Sequence, residues 1–180
     1  MGKGGESWGN RGRRPRPRPA DHEGESIPLF TGASTLNLDA KGRIAIPARH
    51  RAALGERCGS RLVVTVSPME KCLWLYPGDR WQEVAAQLSE LSPFVPEHKI
   101  LKRLMLGFAS EQEMDRQGRI MLPPELREYA GLDKKATLLG QGERFEIWKG
   151  ESMPQTLEDW VEEANRIDYT SMPGVTDLAL

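Results

Sequence analysis

Leu38–Pro47 reads L-D-A-K-G-R-I-A-I-P and Met114–Pro123 reads M-D-R-Q-G-R-I-M-L-P, so the chain contains one short motif twice. The second copy begins 114 − 38 = 76 residues after the first. Five residue types occupy matching places in the two copies: Asp39 and Asp115, Gly42 and Gly118, Arg43 and Arg119, Ile44 and Ile120, and Pro47 and Pro123. Such a repeat indicates either two similar sites or one site that is built from two halves.

The residues around the first copy predict two short strands, a turn and a helix. Strands at Thr35–Leu38 and Arg43–Ile46 flank the turn, in which Gly42 suits a positive φ because a Cβ would clash there. A short helix from Pro47 should then end at Gly55. The second copy repeats this order, so we predict two equivalent halves that pack about a pseudo-twofold axis.

Alternating and helical periodicity predicts further elements after each copy of the motif. The predicted strands are Leu62–Val66, Cys72–Tyr76, Ser110–Met114, Arg119–Leu122, Ala136–Leu139 and Phe145–Trp148. The predicted helices are Gly78–Leu91, Glu97–Phe108, Pro124–Ala130 and about Pro154–Arg166. Three of these helices should carry an inward apolar stripe, formed by Trp81, Val84, Ala85, Leu88 and Leu91, by Ile100, Leu101, Leu104, Met105 and Phe108, and by Leu157, Trp160, Val161 and Ala164. The predicted fold class is mixed α+β and rich in β-structure.

Charge is distributed unevenly, although the net charge of the 180 residues is only −1. Residues 1–20 carry +5, residues 151–180 carry −6, and residues 21–150 balance at 18 charges of each sign. We predict that residues 1–26 are disordered, because they cannot bury enough apolar surface to offset chain entropy. The acidic tail is also predicted to be disordered, because it shows no periodic pattern from residue 167 on. The predicted organisation is a basic extension (1–26), a first repeat (27–92), a second repeat (93–166) and an acidic tail (167–180).

The sequence lacks the patterns typical of enzymes, metal proteins and membrane proteins. Cys58 and Cys72 do not form a C-x-x-C pair, and His22, His50 and His98 lie in no nucleophile or metal-ligand motif. No apolar run is long enough for a transmembrane helix, and the N-terminal residues lack the apolar core of a secretory signal. We therefore expect no catalytic residue, metal, cofactor or small-molecule substrate, and a cytoplasmic location.

Asp39 and Arg43 bracket the first turn four residues apart, as Asp115 and Arg119 bracket the second. Across a tight antiparallel turn, such residues can form an ion pair. An exposed ion pair contributes only about 0–1 kcal/mol, so stability is a weak reason to build it twice. A guanidinium that a carboxylate holds in a set orientation can instead bind phosphate or the O6/N7 edge of guanine. Both turns are therefore candidate nucleic-acid contacts.

The surroundings of the two turns differ in charge. The first has no acid from residue 40 to residue 55, whereas the second mixes basic residues with Glu125 and Glu128. The predicted DNA contacts are Lys41, Arg43, Arg49, Arg51, Arg116 and Arg119, with motif support from Asp39, Gly42, Asp115 and Gly118. We expect the main contact at Lys41–Arg43, because its surroundings are basic throughout, and we expect the second copy chiefly to complete the fold.

Residues 39–51 (D-A-K-G-R-I-A-I-P-A-R-H-R) and 115–132 (D-R-Q-G-R-I-M-L-P-P-E-L-R-E-Y-A-G-L) resemble the AbrB-like, swapped-hairpin family of bacterial DNA-binding domains. Two copies in one chain, each with D-x-x-x-R, look like the MraZ family of transcription regulators, and the resemblance covers roughly Phe30–Asn165. It implies two AbrB-like halves with a double-psi-like barrel fold, flanking helices and a ring-shaped homo-oligomer. It also implies binding of double-stranded DNA at repeated G-rich promoter boxes, repression of the division and cell wall gene cluster, and association with the nucleoid.

Three features leave alternatives open. The acidic tail fits an AbrB-like antitoxin that binds a basic toxin, although such antitoxins usually form the fold by dimerising a single copy. The apolar stripes at 78–91 and 97–108 fit a ring-forming interaction protein. Arg11–Pro19 resembles a minor-groove hook built on R-G-R-P, although Arg14 interrupts the motif; the alternative is a solvated basic tail that adds nonspecific affinity.

Overall fold

The computed structural model describes residues 29–150 and 157–168, so the predictions for 1–26 and for the acidic tail beyond residue 168 lie outside the described residues. In chain order the elements are β1 (Ala33–Asn37), β2 (Arg43–Ala45), α1 (Ala48–Cys58), β3 (Arg61–Val66), β4 (Leu73–Pro77), α2 (Gly78–Glu90), α3 (Pro96–Met105), β5 (Ser110–Glu113), β6 (Arg119–Met121), α4 (Pro124–Ala130), β7 (Lys135–Gly140), β8 (Phe145–Lys149) and α5 (Leu157–Ala164). Each predicted strand is present to within two residues, and the mixed α+β fold class is confirmed. Within the described ranges, none of the helices combines the length and the apolar character that a bilayer span requires.

The first strand of each half joins the hairpin of the other half. The six-stranded antiparallel sheet has the order β1-β7-β8-β4-β3-β5, with β1 to β4 from the first half and β5 to β8 from the second. β1 pairs with β7 and β5 pairs with β3, while the equivalent strands β4 and β8 meet at the centre. The halves therefore exchange strands about a pseudo-twofold axis, which confirms the swapped-hairpin fold.

β2 and β6 form a separate two-stranded ladder, which we call the ribbon. Its pairs are Arg43 with Met121, Ile44 with Ile120, and Ala45 with Arg119. The central pair joins equivalent residues of the two motifs, so the pseudo-twofold axis passes through the ribbon. Because side chains alternate along a strand, Ile44 and Ile120 both face inward and are buried, while the other four side chains share the outer face.

Apolar side chains cover both faces of the large sheet. The main core lies on the face that carries the ribbon, α1 and α4, and includes Phe30, Leu54, Leu126 and Phe145. The second cluster lies on the opposite face, where α2 and α3 pack. The inward stripe predicted for α2 is confirmed by its buried residues Trp81 and Leu88. The ribbon is thus backed by the larger core, which holds it in place.

Two of the predicted inward stripes are wrong in part. α3 ends at Met105, which is buried, but Ile100 is 57% exposed and Phe108, beyond the helix, is 48% exposed. α5 buries none of its residues, and Leu157 and Val161 are 74% and 51% exposed. Periodicity identifies an apolar stripe but not the element that covers it, and α3 turns a face centred nearer Met105 toward the sheet.

The helix of the first half is one turn longer than predicted. α1 continues through Gly55 to Cys58 and ends at Gly59, whose φ of 60° is left-handed. A glycine inside a helix costs about 1 kcal/mol relative to alanine, but the added turn buries Cys58. In the second half α4 ends at Gly131, with φ 64°, as the sequence predicts. Gly55 and Gly131 occupy equivalent positions in the two halves, but only Gly131 ends its helix.

Candidate nucleic-acid interface

A single carboxylate organises the turn between β1 and β2, which we call the first tip (Asp39–Arg43). Asp39 Oδ1 accepts hydrogen bonds from the backbone N–H groups of Lys41 and Arg43 at 2.9 and 3.0 Å. Asp39 Oδ2 accepts two more from the Arg43 side chain, from Nε at 2.7 Å and from Nη2 at 2.7 Å. The carboxylate therefore fixes both the shape of the turn and the orientation of the guanidinium.

The turn between β5 and β6, the second tip (Asp115–Arg119), has the same construction. Asp115 Oδ1 accepts from the backbone N–H groups of Gln117 and Arg119, both at 2.9 Å. Asp115 Oδ2 accepts from Arg119 Nε at 2.9 Å and from Nη2 at 2.8 Å. The ion pair that the sequence predicts is therefore present in both copies.

Both tip carboxylates remain ionised at neutral pH. The backbone N–H of Arg43, and then its side chain, lower the pKa of Asp39 from 3.8 to about 2. The corresponding donors of Arg119 lower the pKa of Asp115. Since arginine stays protonated as well, each tip keeps its charged pair across the physiological range.

Each tip contains a glycine that makes room for an arginine of the opposite half. Gly42 and Gly118 have φ values of 78° and 77°, which L side chains rarely adopt. A Cβ on Gly42 would lie 2.6 Å from Cζ of Arg127, which belongs to α4. A Cβ on Gly118 would overlap Nε of Arg51, which belongs to α1. The positive φ therefore favours glycine at both places, and any larger residue there would also displace the neighbouring arginine.

Hydrogen bonds fasten each tip to the opposite half. Ile46 donates its N–H to the carbonyl of the second-tip glycine at 2.8 Å, and Leu122 donates to the carbonyl of the first-tip glycine at 3.0 Å. Arg51 Nε donates to the Ile46 carbonyl at 2.6 Å, and Arg127 Nε donates to the Leu122 carbonyl at 3.0 Å. The two arginines thus brace the segments that hold the tips.

This cross-half packing changes which residues share a site. The sequence grouped Arg51 with the first tip, but its guanidinium lies at the second tip, because the exchange of strands brings α1 against the opposite turn. Arg127, which the sequence prediction left out, occupies the matching place at the first tip. The one available signal was that Arg51 and Arg127 are 76 residues apart, like the motifs themselves.

Each tip therefore has two basic residues in its own turn and a third, from the opposite half, beside its glycine. At the first tip these side chains belong to Lys41, Arg43 and Arg127, and at the second tip to Arg116, Arg119 and Arg51. The main DNA contact was expected at the first copy because the residues next to it in sequence are basic. In the fold these basic residues are divided between the tips, since Arg51 lies at the second tip.

The ribbon brings the two ion-paired arginines onto one surface. Arg43 and Arg119 share the outer face at diagonal positions of the ladder, where residues are about 7–8 Å apart and their Cβ atoms are somewhat closer. Their side chains are 26% and 31% exposed. Since Asp39 and Asp115 orient them, both guanidinium groups can present donors to one elongated anionic ligand. The two tips are thus the two ends of one surface.

Arg49 is engaged away from the tip carboxylates. Its Nη2 donates to Ser34 Oγ of β1 at 2.8 Å, and its Nε donates to His50 Nε2 at 3.0 Å. His50 is buried, and its ring lies edge-on to the neighbouring rings of Phe30 and Phe145. Burial, and then the charge of Arg49, lower the pKa of His50, which stays neutral. The structure therefore does not bring Arg49 into the Asp–Arg geometry of either tip.

One group of metal-type donors occurs among residues 29–150 and 157–168. Ligand atoms of Glu70, Cys72 and Glu146 lie within 4.8 Å of one another. These donors have other roles, because Trp148 Nε1 donates to Glu146 Oε2 at 3.0 Å and Arg144 Nη2 lies 3.6 Å from Glu146 Oε1. Burial raises the pKa of the Cys72 thiol to about 12. Cys72 and Glu146 are therefore buried at the second cluster, where Glu146 already has a donor and a neighbouring cation, while Glu70 is exposed.

Comparison with known proteins gives one consistent family. The profile of the family described as "MraZ protein, putative antitoxin-like" matches residues 29–104 and 105–170. The "Transcriptional regulator MraZ" of Halorhodospira halophila is 44% identical over 146 residues, which cover 81% of this chain and 95% of that protein. The protein of the same name from Shewanella piezotolerans is 49% identical over 131 residues, covering 73% and 86%. That from Alcanivorax borkumensis is 46% identical over 145 residues, covering 81% and 94%.

Proposed function

This chain belongs to the MraZ family of transcription regulators, and we propose that it acts by binding double-stranded DNA in a sequence-specific manner through the ribbon and its two tips. The observation that carries the proposal is the pair of identical Asp–Arg tips on one outer face. The relatives are named as regulators and not as enzymes. The proposed contacts are Lys41, Arg43, Arg51, Arg116, Arg119 and Arg127, with Arg49 as a peripheral contact.

The geometry of the ribbon suits duplex DNA. The major groove admits a two-stranded β-ribbon, and an oriented guanidinium can reach either phosphate or the O6/N7 edge of guanine. Three basic side chains at each tip supply the electrostatic part of the affinity. If all six meet phosphates, log affinity should fall with log salt at a slope of about −5.

The finer biological role rests on the family. We propose repression of the division and cell wall gene cluster through repeated promoter boxes, by a cytoplasmic, nucleoid-associated ring of this chain. One protomer offers few contacts, so several protomers on several boxes would raise the affinity through effective concentration. Exposed apolar side chains support self-assembly, notably Phe94 at 93%, Ile100 at 57% and Leu157 at 74%.

A second candidate function is that of an antitoxin that binds a basic protein partner. It is favoured by α5, which is acidic and has exposed apolar side chains. In α5, Glu158 and Glu162 accompany the exposed Leu157 and Val161. Copurification of a stoichiometric small basic protein, with no shift of any promoter fragment, would favour this candidate over the regulator.

A footprint on the DNA upstream of the chain's own gene tests the proposed function. We expect protection of short repeated segments at low salt, with affinity that falls steeply as salt rises. The same titration on an unrelated duplex of equal length measures nonspecific binding. Equal protection of both duplexes, with the protein folded, would contradict sequence-specific recognition.

A further inference from the structure

The outer face of the ribbon departs from its own symmetry at one pair of positions. Arg43 and Arg119 are equivalent residues with equivalent ion pairs. Opposite Arg119 in the ladder lies Ala45, whereas opposite Arg43 lies Met121, the residue equivalent to Ala45. The two ends of the face thus present the same charged group beside apolar side chains of very different length.

Met121 is placed to reach a ligand that Arg43 holds. Directly opposite residues of a ladder have Cβ atoms about 4.5–5.5 Å apart, so the side chains of Met121 and Arg43 leave the outer face next to each other. Met121 is 38% exposed although it belongs to a strand that is backed by the core. Its long, polarizable side chain can adapt to an apolar group at the ligand surface.

We infer that Met121 is a specificity-determining residue, which contacts the C5-methyl group of a thymine next to the DNA group that Arg43 binds. This inference rests on the proposed DNA binding. The thymine methyl is the one apolar group among the base edges of the major groove, so an exposed methionine beside a groove-facing arginine matches it. At the opposite end Ala45 presents only a single methyl group, which reaches less far from the strand than a methionine side chain.

Met121 would also give the bound protomer a direction on DNA. The Asp–Arg pairs are alike at both ends, so the contacts they make are alike in either orientation of the protomer. Phosphate contacts position a protein, whereas contacts to base edges distinguish sequences. The difference between Met121 and Ala45 distinguishes the two orientations, and a site read in this way is not palindromic.

Replacing single thymines by uracil in the footprinted duplex removes one methyl group at a time and tests the inference. In the wild-type protein we expect one position at which uracil lowers the affinity about fourfold, the effect of one buried methyl-sized group. Met121→Ala should lose this dependence while keeping its binding to the uracil-containing duplex. Met121→Leu should retain part of it.

Two further variants serve as controls. Met69→Ala removes a methionine that is 84% exposed in the turn between β3 and β4, outside the ribbon, and should keep the wild-type uracil profile. Ala45→Met should create a methyl dependence at the other end of the site. A melting temperature near that of the wild type will show that each variant is folded.

The outcomes separate this inference from the function on which it rests. If the wild-type protein binds the element and no uracil position matters, or if Met121→Ala keeps the wild-type profile, Met121 reads no methyl group and the inference is overturned, while DNA binding stands. If the wild-type protein binds the element no better than an unrelated duplex, the proposed function fails and this inference fails with it.

Discussion

The first and second tips share one skeleton but draw their charge from different places. In both, a carboxylate binds two backbone N–H groups and one guanidinium at 2.7–3.0 Å. The first tip adds Lys41 from its own turn and Arg127 from α4, and the second adds Arg116 from its own turn and Arg51 from α1. The difference teaches that the site is assembled by the exchange of strands and cannot be divided along the sequence.

The largest expected effect tests whether the two tips act together. Arg43→Ala combined with Arg119→Ala should lower the affinity for the promoter duplex at least about 100-fold, because a hydrogen bond to a charged group contributes about 1.5–3 kcal/mol. Titrations followed by fluorescence anisotropy would measure the single and double variants. If Arg119→Ala alone binds as the wild type does, the first tip carries the site, as the sequence suggested.

The next largest effect is the loss of stability when the glycine of either tip is replaced by alanine. Gly42→Ala and Gly118→Ala should each lower the free energy of unfolding by about 1–2 kcal/mol, because alanine is strained at positive φ, and more where the arginine must move. Urea denaturation would measure both. Gly55→Ala is the matched control, because it lies inside α1 and should be neutral or stabilising by up to about 1 kcal/mol. Equal effects at all three glycines would contradict the strain expected at the two positive-φ positions.

A smaller effect distinguishes the tips by their partners. A double-mutant cycle of DNA binding should couple Arg51 with Arg119 by about 0.5 kcal/mol or more, and Arg51 with Arg43 by less. The corresponding cycles should couple Arg127 more strongly with Arg43 than with Arg119. Each single alanine variant should also reduce the salt slope by about 0.9. If Arg51 couples with Arg43 and not with Arg119, it acts at the first tip, as its position in the sequence suggested.

The smallest expected effects are on pH dependence. The pKa of Asp39 is lowered to about 2, so its contribution to stability is present above the unfolded pKa and is lost as pH falls from about 4 toward 2. The pKa of His50 is lowered too, but it is a base, so the unfolded state takes up the proton first and stability falls below about pH 6.5. Melting temperatures from about pH 8 to about pH 2 should show both steps, and His50→Gln should remove only the upper one.

Local patterns predicted much of this structure. The strands around each tip and the Asp–Arg pair follow from residues close in sequence, because turns and alternation are local. The pseudo-twofold axis follows from the motif that recurs 76 residues later. The positions of Arg51 and Arg127 could not be predicted in this way, since they depend on which strand β2 pairs with. The end of α1 was misplaced for a related reason: the burial of Cys58 outweighs the low helix propensity of Gly55.

The affinity of Arg43→Ala for the promoter duplex, measured together with its melting temperature, tests the central claim most directly. The ion pair is partly exposed, so its loss should cost no more than about 1 kcal/mol of stability, or a shift of about 2–4 °C. The account predicts that affinity falls about tenfold or more while the protein remains this stable. Unchanged affinity with a clearly lower melting temperature would contradict it and would make the pair a structural clamp of the turn.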